Sequence, residues 1–225
     1  CALFLHLPQM PLLLALLLGG LCAAAFGVLF GLTAARIKGF YLALTTIAAQ
    51  AIFHFLVLNL PGDWLGGAGG LHLESLTVAG LPLSSDRAQY WLSLAVLVVM
   101  TAGAFGIVRS RHGRSFQAVR DDDVAAGMMG IPVAATKVRA FLVAAFYAGV
   151  AGGLWAVSLR HVSVEQFTLF NAIWMIAMMI VGGLGSIVGA LIGTFLIQMA
   201  REGVVSLGPK LVEFVPSAGQ DIVFA

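Results

Sequence analysis

Residues Met10–Ala34 run for 25 consecutive positions without a charged side chain, and that run restricts the fold more than any other feature. At 1.5 Å of rise per residue, a helix of this length crosses the roughly 30 Å hydrocarbon core of a bilayer with room for tilt. In hydrocarbon, only a helix or a closed barrel satisfies its own backbone hydrogen bonds. Further apolar stretches follow at Phe40–Leu60, Tyr90–Val108, Ala140–Leu159 and Phe167–Ala200. The last is too long for one helix and contains Gly182, Gly183, Gly185 and Gly189. Two helices meeting near Gly183 are the simplest reading, and a hairpin that dips into the membrane without crossing is the alternative. With 60% hydrophobic and 10% charged residues, the chain is far from the roughly 25% charged make-up of soluble domains. The expected class is an all-α polytopic integral membrane protein, with about 5–6 spans in a single transmembrane domain over 1–225.

Charge then orients the spans. The interval from Arg109 to Arg139 carries six of the 12 basic residues (Arg109, Arg111, Arg114, Arg120, Lys137, Arg139) against Asp121, Asp122 and Asp123, so 6 − 3 = +3. Such a loop belongs on the cytoplasmic side. Arg36 and Lys38 fall on that same side, making eight basic residues inside, against Arg87, Arg160, Arg201 and Lys210 outside. Pro61–Gln89 and Arg160–Gln166 become external loops, Tyr90 and Trp91 anchors at the outer interface, and Arg201–Ala225 an irregular external segment with Pro209 and Pro216. Membrane lipid is the expected surrounding, and a net charge of +2 gives no reason to expect nucleic acid.

The cytoplasmic interval has helical punctuation of its own. Asp122 or Asp123 is placed to cap a short helix Val124–Met129, Gly130 to end it in the left-handed conformation, and Pro132 to start the next segment. Upstream, Ser115 is placed to cap a turn in which Phe116 and Val119 share a face. Two short helices with a bend at the aspartates fit better than one, because a continuous helix would bring Asp123 onto that apolar face. Val124, Met128 and Met129 either pack back on the protein's own helix ends or face a partner.

Within the first span, Gly20, Gly27 and Gly31 share one side and permit close helix packing. In the second, Thr46, Gln50 and His54 recur every four residues and form a polar stripe, a candidate translocation path. The alternative is that Thr46 bonds its own backbone while Gln50 and His54 join helices. His54 has no second ligand at metal spacing. Cys1 and Cys22 make no disulfide framework and no thiolate site. The glycines Gly66, Gly67, Gly69 and Gly70 lack the Lys-Ser/Thr that a nucleotide loop needs, and no zinc helix or serine elbow occurs. Three consecutive aspartates point in different directions on a helix and serve as cap and charge balance rather than a metal site. The chain is expected to be no enzyme, with no cofactor and no metal.

On these residues the chain resembles a known family. GRSFQAVRDDDVAAGMMGIPVAATKVRAF, beginning at Gly113, is similar to the cytoplasmic coupling loop of permease subunits of bacterial ABC importers, specifically the branched-chain amino-acid (Liv-type) family and its M subunit. The importer-wide motif is Glu-Ala-Ala, three intervening residues and Gly. Ala125, Ala126 and Gly130 hold matching positions, Val124 stands where the Glu would be, and Asp123 is the nearest acid. GFYLALTTIA (from Gly39), LGGAGGL (from Leu65) and MMIVGGLGSIVGALIG (from Met178) are similar to family stretches in the family's order, so the resemblance runs from Leu12 to Glu213.

The resemblance implies the helical bundle of an ABC importer transmembrane domain, a multi-pass protein of the bacterial inner membrane. Two cytoplasmic ATPase subunits would bind the ATP, a homologous second permease would complete the pore, and a periplasmic substrate-binding protein would deliver leucine, isoleucine or valine. Close relatives import urea or short amides. The coupling residues it points to are Gly113, Arg114, Arg120, Asp123, Ala125, Ala126, Gly130 and Pro132, within the loop 109–139. A secondary transporter or channel is the competing class, and it usually requires ionisable groups inside the membrane that the spans do not supply. The missing initiator Met and a final Asp221-Ile-Val-Phe-Ala that opens another apolar run give the expectation of a piece of a longer chain, and in the family further helices flank this region.

Overall fold

A computed structural model describes residues 11–37, 39–59, 70–72, 77–78, 81–82 and 86–214. Cys1, Gly66, Gly67, Gly69, Pro216 and the closing run from Asp221 lie outside the described residues. The described chain is helical except for two-residue strands. Its helices are α1 (Leu12–Arg36), α2 (Phe40–Asn59), α3 (Asp86–Arg109), α4 (Arg111–Asp121), α5 (Asp123–Met128), α6 (Val133–Leu159), α7 (Leu169–Gly182) and α8 (Ile187–Phe214). Four helices are long and apolar enough to cross a membrane (Leu12–Thr33, Arg87–Arg109, Val133–Leu159 and Ile187–Ser206), and two shorter apolar ones, Leu44–Asn59 and Leu169–Gly182, accompany them. The protein is an all-α polytopic membrane protein whose chain divides into two compact units, Cys1–Thr168 and Leu169–Ala225.

The first unit is organised on α6. Helix α1 lies antiparallel to it, and the glycine face predicted from spacing is the seam. A Cβ on Gly20 would meet the Phe146 ring at 2.8 Å, one on Gly27 the side chain of Ala145 and the carbonyl of Phe141, and one on Gly31 the backbone of Val138 at 3.0 Å. Gly149 on α6 answers from the other side, against Ala23 and the backbone of Gly20. Lipid offers as much apolar contact as another helix, so close approach of backbones supplies the association here. Leu12, Leu16 and Val157 form the buried centre at the Leu12 end of this pair.

Helix α3 joins α6 through polar bonds: Gln89 Nε2 donates to the Val157 carbonyl at 2.7 Å, and the Tyr147 hydroxyl to the Met100 carbonyl at 3.0 Å. Both α1 and α3 therefore run against α6, which places Arg36, Arg109 and the start of α6 at one end of the unit. At the other end, strand β1 (Leu71–His72) pairs antiparallel with β4 (His161–Val162), Leu71 opposite Val162. Strands β2 (Thr77–Val78) and β3 (Leu81–Pro82) form a local hairpin. The β1–β4 pairing ties the loop after α2 to the turn after α6, so both lie on one side, as alternation of the spans demands. A 3₁₀ turn, Val164–Gln166, replaces the plain turn expected there.

In the second unit, α7 and α8 form a tight antiparallel hairpin. Its turn uses Gly183 (φ 96°) and Gly185 (φ 89°), in the left-handed region that a side chain avoids. Ser186 Oγ accepts from the Gly189 N–H at 3.1 Å, capping the start of α8. Gly182 on α7 touches the backbone of Gly189 and Gly193 on α8. The break near Gly183 is where the sequence puts it. At 14 residues, α7 is about 21 Å long, short of the hydrocarbon thickness.

Three boundaries differ from the sequence reading. Helix α3 begins four residues before Tyr90, and α6 starts at Val133 rather than Ala140, its first two turns packing on α5. The segment after Arg201 continues as helix to Phe214 instead of becoming irregular. A running helix gains one bond for each residue it adds, so a single Pro209, which deletes one, does not stop it.

Candidate functional site

The candidate site is the corner built by α4, α5 and the first turns of α6, at the end of the first unit that holds Arg36 and Arg109. Helix α4 is capped by Ser110, whose Oγ accepts from the Gly113 N–H at 3.3 Å. The cap expected from the sequence is Ser115. That residue sits inside the helix, its hydroxyl donating to the Arg111 carbonyl at 3.2 Å, because the helix begins one turn earlier than its apolar pattern suggests. Gly113 has no room for a side chain: a Cβ would strike the Ile107 and Val108 carbonyls at the end of α3. The shared face of Phe116 and Val119 is present, with Val119 buried and Phe116 half-buried.

The bend falls at Asp122. Its backbone is extended (φ −153°, ψ 112°), and its Oδ1 accepts from the N–H groups of Val124 at 2.7 Å and Ala125 at 3.1 Å. Of the two aspartates open as caps, Asp122 is the one used. The three aspartates do three separate things: Asp121 pairs with Arg120 at 3.1 Å on the surface, Asp122 caps α5, and Asp123 meets Lys137 Nζ at 2.6 Å. Among the described residues, no three His, Cys, Asp or Glu side chains group to hold a metal ion.

Removing the cap isolates its contribution. Asp122→Ala is expected to cost about 1 kcal/mol of local helix stability, read as faster hydrogen exchange at Val124 and Ala125 with α6 unchanged.

Helix α5 has two unlike faces. Ala126 is 4% exposed, turned onto the protein itself. Val124 is 63% exposed, Met128 83% and Met129 82%, with Ala125, Gly127 and Gly130 exposed around them. The open choice for the apolar residues therefore resolves outward. Gly130 adopts φ 81° and its Cβ position is empty of neighbours within 4 Å. Pro132 precedes the first residue of α6. Arg114 and Arg120 are both exposed. Arg114 Nη1 reaches the Arg109 carbonyl at 3.4 Å, and Arg120 holds Asp121.

The other candidate group lies apart from this corner. Thr46 is exposed and Gln50 and His54 are half-buried on α2. Gln50 Nε2 donates to the Phe167 carbonyl at 2.9 Å, linking α2 to the chain beyond the 3₁₀ turn. The Asp123–Lys137 pair escaped sequence reading altogether. The partners are 14 positions apart, and no helical spacing relates them until the turn at Gly130 folds α5 back on α6.

A model of the family described as branched-chain amino acid transport system / permease component matches residues 1–219. The chain is 30% identical over 210 residues to the high-affinity branched-chain amino acid transport system permease protein LivM of Escherichia coli (strain K12), covering 82% of this chain and 49% of that protein. It is 28% identical over 199 residues to the autoinducer 2 import system permease protein LsrC of Enterobacter sp. (strain 638), covering 78% of this chain and 58% of that one. It thus spans about half the length of the curated relatives it matches. No solved structure matches. With its spanning helices and a family match over nearly its whole length, the chain is a multi-pass inner-membrane protein that belongs to the branched-chain amino acid transport system permease family.

Proposed function

We propose that this chain is the translocating subunit of an ATP-driven importer and that its cargo is leucine, isoleucine or valine. The observation that carries this reading is α5: a capped helix at the cytoplasmic end of the bundle, with Val124, Met128 and Met129 exposed around the small residues Ala125 and Gly130. An exposed apolar cluster on a cytoplasmic helix is costly unless a protein covers it. Two ABC ATPase subunits, which bind the ATP, are the partners that fit, with Arg114 and Arg120 as charges at the rim. Ala126, turned inward, contributes to the seating of α5 and not to the docked surface.

The cycle follows from population shift. ATP draws the two ATPase subunits together, α5 moves with the groove that holds it, and the attached spans exchange inward-facing for outward-facing arrangements. A second, homologous permease completes the pore and a periplasmic binding protein supplies the substrate. Thr46, Gln50 and His54 remain the polar groups proposed for the path through α2.

The cargo rests on the likeness to LivM, and the likeness to LsrC supports autoinducer 2 as a second reading. Uptake of radiolabelled leucine separates them, using cells that lack their own high-affinity system and express the full-length gene with its neighbours. ATP-dependent uptake competed by isoleucine and valine is expected. ATP-dependent uptake of autoinducer 2 or urea in place of leucine would overturn the cargo, and uptake that follows an ion gradient would overturn the mechanism.

A further inference from the structure

We infer that the Asp123–Lys137 ion pair is the strut through which a docked ATPase moves the membrane helices. Asp123 is the first residue of α5, and Lys137 stands in the second turn of α6. Their charged atoms lie 2.6 Å apart, with side chains 20% and 21% exposed. A pair this enclosed is screened little by solvent, unlike the exposed Arg120–Asp121 pair beside it. Loss of one partner leaves the other charge half-buried without this bond, so the attachment is sensitive to single substitutions.

The geometry makes the pair a second attachment for α5. At its C-terminal end, α5 is joined to α6 by the turn through Gly130, where the Ile131 N–H donates to the Ala126 carbonyl at 3.1 Å. At the opposite end α5 continues from α4 at Asp122, and the ion pair ties that end directly to α6. Between the turn and the ion pair Ala126 and Thr136 are buried, Thr136 at 3% exposure. Displacing α5 therefore displaces α6. Helix α6 in turn carries α1 on the glycine seam and α3 on Tyr147 and Gln89, so one movement reaches three spans. Asp123 is a positioning residue, facing its own chain, while the docked surface is the opposite face of α5.

This inference rests on the reading of α5 as the ATPase contact, and the wild-type complex tests that reading by itself. The full-length chain is co-purified with its ATPase, reconstituted in proteoliposomes and compared with Lys137→Met, Asp123→Asn and the exchanged pair Asp123→Lys/Lys137→Asp. Leucine moved per ATP hydrolysed is measured, and in parallel the ATP-induced change in hydrogen exchange along α5 and α6, which needs no substrate. In each single variant, ATPase recovery is expected to stay within about twofold of wild type while leucine per ATP falls about tenfold, the size of an ordinary inter-site coupling. The response of α6 to ATP disappears and that of α5 persists. The exchanged pair restores both. Single variants with an undiminished α6 response would overturn the strut. So would single variants that lose the ATPase without rescue by the exchanged pair, since Asp123 would then belong to the docked surface. A wild-type complex that recovers no ATPase overturns the docking reading, and the strut with it.

Discussion

Gly130→Asp is expected to leave the chain inserted in the membrane and to abolish recovery of the ATPase with it. Two effects meet at this residue. The backbone at φ 81° is left-handed, where a side chain costs roughly 1–2 kcal/mol, and the new carboxylate stands beside Met128 and Met129 on the exposed face of α5. The strain is modest because nothing lies within 4 Å of the Cβ position, so the bundle has no reason to rearrange. The charge has the greater effect, since the centre of a protein interface excludes charged groups and losing a central contact costs about 2–4 kcal/mol. Gly130→Asn isolates the charge, because asparagine shares aspartate's tolerance of the left-handed region and is neutral. It is expected to retain most of the ATPase. The check is affinity recovery of the ATPase through a tag on this chain, with protease protection reporting insertion. Normal recovery with Gly130→Asp would remove α5 as the docking helix.

Gly27→Leu is expected to have the reverse outcome, destroying the fold before any question of docking arises. A Cβ at Gly27 would meet Ala145 and lie 2.9 Å from the Phe141 carbonyl, which is backbone and cannot turn aside. Helix α1 must then retreat from α6 along the whole seam, opening the contacts at Gly20 and Gly31 as well. Overpacking a well-packed interior costs about 1–3 kcal/mol, and the loss of the neighbouring close contacts adds to it. Loss of the monodisperse species on size exclusion in detergent is the expected reading. Gly106→Leu is the control: the residue is also on a spanning helix, with nothing within 4 Å of its Cβ position, and the variant is expected to elute as wild type. Equal behaviour of the two would show that the glycine seam does not hold α1 to α6.

These two glycines are both visible in the sequence, for different reasons. Gly130 is legible because its surroundings are local: a cap just before a short helix, a glycine after it and a proline beyond are chain-neighbour chemistry. Gly27 is legible through periodicity, since Gly20, Gly27 and Gly31 return to one side of a helix at its own repeat. Periodicity gives the face and not the partner. That α6 fills this face, with Phe141, Ala145 and Val150 offered to it, depends on residues more than a hundred positions away.

The apolar runs, their alternation and the gathering of Arg36, Arg109 and Lys137 at one end of the first unit were legible in the sequence alone. A hydrocarbon interior leaves apolar runs one way to satisfy their backbone, and the energy of moving charge across it sorts the loops. The bend at the aspartates and the break near Gly183 follow from local backbone preferences in the same way. Only the tertiary structure decided which faces of α5 are open and which are covered, that Ala126 turns inward while Met128 and Met129 turn out, and that Asp123 answers to Lys137. Those outcomes depend on where the turn at Gly130 directs α5 against α6, and the energy that selects the direction comes from contacts formed after both helices exist.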